Sequence, residues 1–208
     1  SFISKNIYIN ATVINPSDLI QYLQIQLKTS GYISNWINMS RKNGHEYYYY
    51  LDISNLEDGE YDILVKAVNT AGYAINSSIK LTIDRESPTI YITSPSLYVK
   101  GEFTPQIIVT DSFALTENAT MRIGNYSQPM NCYSQLAKKI VCSARFNSTL
   151  LEDGEHTIEF YASDKAGNSV KEEKKIKVDN KGPYLYYFKA EPTYSLTPTT
   201  FKFIAYLI

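Results

Sequence analysis

Two stretches of the chain place an apolar residue at every second position. After Gly59, the positions Tyr61, Ile63, Val65 and Ala67 alternate with Asp62, Leu64, Lys66 and Val68. Further on, Ile158, Phe160 and Ala162 alternate with Thr157, Glu159, Tyr161 and Ser163. A period of two predicts half-buried β-strands. Both runs end in turn sequences, Asn69-Thr70-Ala71-Gly72 and Asp164-Lys165-Ala166-Gly167-Asn168, where glycine can take positive φ in a hairpin. A second strand is predicted after each turn, over Ile79–Ile83 and Lys174–Val178. Pro88 and Pro183 then mark the start of the next unit, because proline cannot donate to a central ladder. No segment sustains helical periodicity.

The two stretches are copies of each other. Leu56-Glu57-Asp58-Gly59-Glu60 recurs as Leu151-Glu152-Asp153-Gly154-Glu155, an offset of 95. The same offset pairs Ile63 with Ile158, Ala67 with Ala162, Ala71-Gly72 with Ala166-Gly167, Asp84 with Asp179 and Pro88 with Pro183. Twelve of the 33 positions from Leu56 to Pro88 are identical, without a gap, which establishes an internal duplication.

The repeated run, Asp-Gly-x-Tyr/His-x-Ile-x-x-x-Ala-x-Asn/Asp-x-Ala-Gly closing on Ile/Val-Asp-x-x-x-Pro, resembles the tandem immunoglobulin-like repeats of bacterial and archaeal surface proteins. The segment from His156 to Asn168 is the nearer copy, and the first repeat departs from it at Asn69 and Tyr73. The resemblance implies an all-β chain of tandem immunoglobulin-like β-sandwiches. It also implies that Tyr61, and His156 at the equivalent place, sit at the tyrosine-corner position after the E–F turn. Such sandwiches host many roles, so the resemblance speaks to fold more than to activity.

Spacing divides the chain into residues 1–87, 88–182 and 183–208. The middle unit is complete, with strands expected at Thr89–Thr93 and Gln106–Asp111. The first unit begins near its second strand, at Ile7–Val13, and lacks most of its first. The last segment holds two strands, Tyr184–Lys189 and Thr200–Ile208, which cannot form an independent domain. They read as the opening strands of a third repeat, and Thr197-Pro198 echoes Thr104-Pro105. Two readings stay open. The chain is a window of a longer repeat array, or its tail donates strands to the unfinished first sandwich of the next copy. For donation, Phe201, Phe203, Ala205 and Leu207 share one apolar face, and Ile204, Tyr206 and Ile208 make the other face apolar too.

Composition narrows the function classes. Of 208 residues, 19 are tyrosine and 15 asparagine, which suits strands joined by turns. Lys plus Arg number 20 and Asp plus Glu 21, without the basic excess of a nucleic-acid binder. No apolar run is long enough for a membrane helix. Cys132 and Cys142 suit a bridge between neighbouring strands, as expected outside the reducing cytoplasm. Six Asn-x-Ser/Thr sequons, at Asn10, Asn38, Asn76, Asn118, Asn125 and Asn147, point to N-linked glycans.

No catalytic motif is present, and no enzyme activity is expected. Asp84-Arg85-Glu86 and Asp179-Asn180 fall at unit junctions near Asp164, Asp58 and Asp153. Cadherin-type repeats hold calcium at such places, but calcium takes six to eight oxygens and these clusters are thin. Solvated turn carboxylates, with no cofactor, are therefore the expectation. Of Tyr47–Tyr50, two side chains should point inward and two outward. The sequence thus predicts a structural component of an extracellular, glycosylated cell-surface filament or surface layer, linked head to tail to other copies. The alternative is the stalk or binding module of an adhesin.

Overall fold

Each Leu-Glu-Asp-Gly turn launches a long strand, Gly59–Asn69 in the first repeat and Gly154–Asp164 in the second. Each folds back antiparallel onto its successor, Ala74–Ile83 or Ser169–Val178. The reversals pass through Gly72 (φ 84°) and Gly167 (φ 91°), left-handed conformations that a side chain would strain. The computed structural model describes residues 1–14, 19–136, 138–191 and 202–207.

In the second repeat two sheets face each other. One runs in the order Asn131–Leu136, Lys139–Ser143, Gln106–Thr110, Thr89–Ser94. The other runs Tyr98–Val99, Ser169–Val178, Gly154–Asp164, Leu115–Ile123, Tyr126–Pro129. This is the division of an immunoglobulin-like sandwich into an A-B-E-D sheet, with A at Thr89–Ser94, B at Gln106–Thr110, E at Lys139–Ser143 and D at Asn131–Leu136, and a C-F-G sheet, with C at Leu115–Ile123, F at Gly154–Asp164 and G at Ser169–Val178. A short strand is added in parallel to G. Ile107, Val109, Met121, Ile123, Ile140, Ile158, Phe160 and Ile176 fill the space between the sheets. Burying each such side chain is worth about 1.5–3 kcal/mol.

The first repeat builds the same C-F-G sheet from Phe2–Ile3, Ala74–Ile83, Gly59–Asn69, Ile20–Lys28 and Ile37–Asn38. Phe2–Ile3 runs parallel to Ala74–Ile83, as Tyr98–Val99 does to Ser169–Val178. This two-residue strand is too short to read from periodicity. The facing sheet has three strands, Ile7–Thr12, Glu46–Leu51 and Ser40–Asn43. Among the described residues nothing holds the place that Thr89–Ser94 takes in the second repeat. Leu23, Ile25, Leu27, Tyr47, Ile63, Leu81 and Ile83 form its core.

The corner residues behave alike in both copies. Tyr61 Oη donates to the carbonyl of Glu57 (2.9 Å), and His156 Nε2 lies 2.8 Å from the carbonyl of Glu152, the position 95 residues on. Beyond the second sandwich, Leu185–Glu191 and Lys202–Leu207 pair antiparallel. Among the described residues no α-helix occurs, and no helix is long and apolar enough to cross a membrane.

Candidate functional site

Asp84 directly follows the last strand of the first sandwich and is fully buried, at 0% exposure. Its amide donates to the carbonyl of Ile3 (2.9 Å), and its own carbonyl accepts from Asn168 Nδ2 (2.9 Å) across the junction. Asn168 belongs to the Asp-Lys-Ala-Gly-Asn turn, and the same nitrogen donates to Asp164 Oδ2 (2.7 Å). One amide group thus ties the exit of the first sandwich to the F–G turn of the second. Ser4 Oγ to the carbonyl of Ala166 (2.9 Å) and Ser112 Oγ to Glu86 Oε2 (3.2 Å) add two more ties.

Three carboxylates converge there. Asp84 comes from the linker, Asp111 from the end of Gln106–Thr110, and Asp164 from the end of Gly154–Asp164. Each offers a carboxylate oxygen, and these oxygens lie within 4.8 Å of one another. In each group Oδ1 accepts from a nearby backbone amide: Glu86 (3.3 Å), Phe113 (2.8 Å) and Asn168 (2.9 Å) respectively. Oδ2 of Asp84 and Oδ2 of Asp111 are buried and have no hydrogen-bond partner. Among the described residues no Lys, Arg or His forms an ion pair with any of the three. Burial, reinforced by the charges of Asp111 and Asp164, pushes the Asp84 carboxyl up to about 6.

The expectation of solvated turn carboxylates is therefore wrong for Asp84 and Asp164, which are buried. Asp111 was absent from the expected cluster, because strand B brings it in from 27 residues beyond Asp84. Asp58 and Asp153 serve another purpose. They accept from the amides of Arg85 (2.9 Å) and Asn180 (2.8 Å), fastening each E–F turn to the segment leaving its sandwich. Arg85 Nε adds an ion pair to Asp58 (2.7 Å). Asp179, the repeat counterpart of Asp84, is exposed.

A second feature is the open side of the first sandwich. A cleft of about 780 Å³ lies between Ile7–Thr12 and Ala74–Ile83 and is lined by Ile9, Ala11, Val65, Ala67, Ile75 and Ile79. Ile75 is 73% and Ile79 57% exposed. In the second repeat Ile90 is buried and Ile92 partly buried against the core, and the counterparts of Ile75 and Ile79, Val170 and Lys174, are half-covered.

Cys132 and Cys142 form a disulfide, directly opposed on neighbouring antiparallel strands. Of the sequon asparagines, Asn10, Asn38, Asn76, Asn118 and Asn125 are exposed. Asn147 is half-buried, and its Oδ1 accepts from the amide of Thr149 (3.0 Å) at the start of a short 3₁₀ turn. Tyr47 is buried and Tyr49 packs on the core, while Tyr50 is exposed and its ring lies 5.1 Å from that of Tyr8. Lys171, in the run Lys171-Glu172-Glu173-Lys174-Lys175, pairs with Glu159 (2.6 Å) and Glu173 (2.7 Å). Phe203, Ala205 and Leu207 lie in the strand Lys202–Leu207, whereas Phe201 lies outside the described residues.

No protein-family model matches this chain, and no curated protein matches it. Among solved structures it is similar to a tetra-tandem repeat from the extending region of a large adhesion protein. That match has 16% identity and a TM-score of 0.43, over 91% of this chain and 49% of the other. It is also similar to a 1.5-MDa bacterial ice-binding adhesin, with 17% identity and a TM-score of 0.43 over 86% and 61%. A third match is the endo-β-1,4-mannanase from Thermotoga petrophila, with 18% identity and a TM-score of 0.39 over 47% and 21%. The chain spans between about a fifth and three fifths of the length of these proteins.

Proposed function

We propose that the chain is a non-catalytic structural segment of an extracellular, glycosylated surface protein. In this reading residues 1–87 and 88–182 are sandwiches in series, and 183–208 contribute strands to a further or shared one. The observation that carries it is the junction. Only Asp84–Pro88 separates the strands of the two sandwiches nearest in sequence, and three side-chain hydrogen bonds bind the junction across that gap. A linker so short and so fastened suits transmission of length and force. Five exposed sequon asparagines and the disulfide support an exterior setting. Small-angle scattering of the purified chain tests the reading. A single extended two-bead particle is expected, and a broad range of inter-bead distances would defeat the idea of a stiff segment.

The open cleft favours a second, more specific reading: head-to-tail assembly by strand addition. Another copy would lay its C-terminal segment, with Phe201, Phe203, Ala205 and Leu207, along Ile7–Thr12. Electron microscopy of the chain beside one ending at Gly182 separates the two readings. Filaments from the full chain alone would support strand donation, whereas identical two-bead rods from both would leave only the stalk, as in an adhesin.

A further inference from the structure

We propose that Asp84, Asp111 and Asp164 bind one calcium ion at the junction between the two sandwiches. The inference stands on the junction geometry and does not depend on the surface-protein reading. Three oxygens within 4.8 Å of one another match the spread of ligands about 2.3–2.6 Å from a common centre. Acidic clusters at surfaces are common, but this one contains a carboxylate at 0% exposure whose Oδ2 has no hydrogen-bond partner, and Asp111 adds a second buried oxygen of the same kind. Leaving such oxygens unpaired is costly, and a cation is the partner that satisfies several at once. The backbone amides of Glu86, Phe113 and Asn168 hold the Oδ1 atoms and so orient the groups.

The donor set selects the ion. Only oxygens converge, without histidine or cysteine, which suits a hard divalent cation. Magnesium sheds its water reluctantly and demands a strict octahedron, whereas calcium accepts buried carboxylates in flexible geometry. The ligands come from the linker and from two strands of the second sandwich, so the ion would clamp the joint. The other end of the repeat lacks these features. Asp179 is exposed, and Asn69 stands in the first sandwich where Asp164 stands in the second.

Thermal unfolding of the full chain in chelator, in calcium chloride and in magnesium chloride tests the site. Saturating calcium should raise Tm by about 5–10 °C. The decisive variant is Asp111→Asn, which keeps an oxygen for the Phe113 amide and replaces the partnerless oxygen with a group that cannot ligate. It should lose the calcium shift yet be at least as stable as the parent in chelator, because a repelling charge is gone. A residue with a merely structural role would lose stability in both conditions. Asp179→Asn should keep the whole shift. No calcium shift in the parent chain, an unchanged shift in Asp111→Asn, or a lost shift in Asp179→Asn would overturn the site. An equal shift with magnesium would overturn the assignment to calcium.

Discussion

Along Gln106–Thr110 the second sandwich carries a strand on each side, Lys139–Ser143 and Thr89–Ser94, whereas Ile7–Thr12 in the first is paired with Glu46–Leu51 alone among the described residues. The hairpins beneath these edges are copies, down to the corner bonds of Tyr61 and His156. The difference in burial therefore comes from one strand and not from the repeated motif. The apolar pattern runs against that burial. Where the second repeat has Val170 and Lys174 half-covered, the first has Ile75 and Ile79 in the open. Ile75 and Ile79 lie on Ala74–Ile83 and line the cleft beside Ile7–Thr12.

Four variants probe the contrast, each read by chemical denaturation with a probe for each sandwich. Phe160→Ala empties the closed core and should cost about 3–5 kcal/mol. Removing the disulfide with paired Cys132→Ala and Cys142→Ala should cost about 2–3 kcal/mol, confined to the second sandwich. Tyr61→Phe deletes the bond to Glu57 and should cost about 0.5–1.5 kcal/mol in the first. Ile75→Thr should change the stability of the isolated chain by less than about 0.5 kcal/mol. A large loss there would show that the edge is covered in solution.

The sequence made the repeated hairpins legible because their signal is local: alternation, an Asp-Gly turn and a glycine reversal within about thirty residues. The disulfide was legible for the same reason, since Cys132 and Cys142 face each other across one hairpin. Of the acidic cluster, Asp84 and Asp164 were legible at the junction but Asp111 was not. Asp84, Asp111 and Asp164 are 27 and 53 residues apart, and only the closing of the second sandwich brings them together. Asp58 and Asp153, the other acids expected near the junctions, are occupied with the backbone amides of Arg85 and Asn180. Phe2–Ile3 escaped notice because two residues carry no period.

Hydrogen exchange at the two B strands tests the central contrast most directly. In dilute chain, Gln106–Thr110 should be protected throughout, because both its edges are bonded. Ile7–Thr12 should show alternation, with amides bonded to Glu46–Leu51 slow and those facing the open edge fast. Uniform protection along Ile7–Thr12 at the same concentration would contradict the open edge and, with it, the account of the first sandwich.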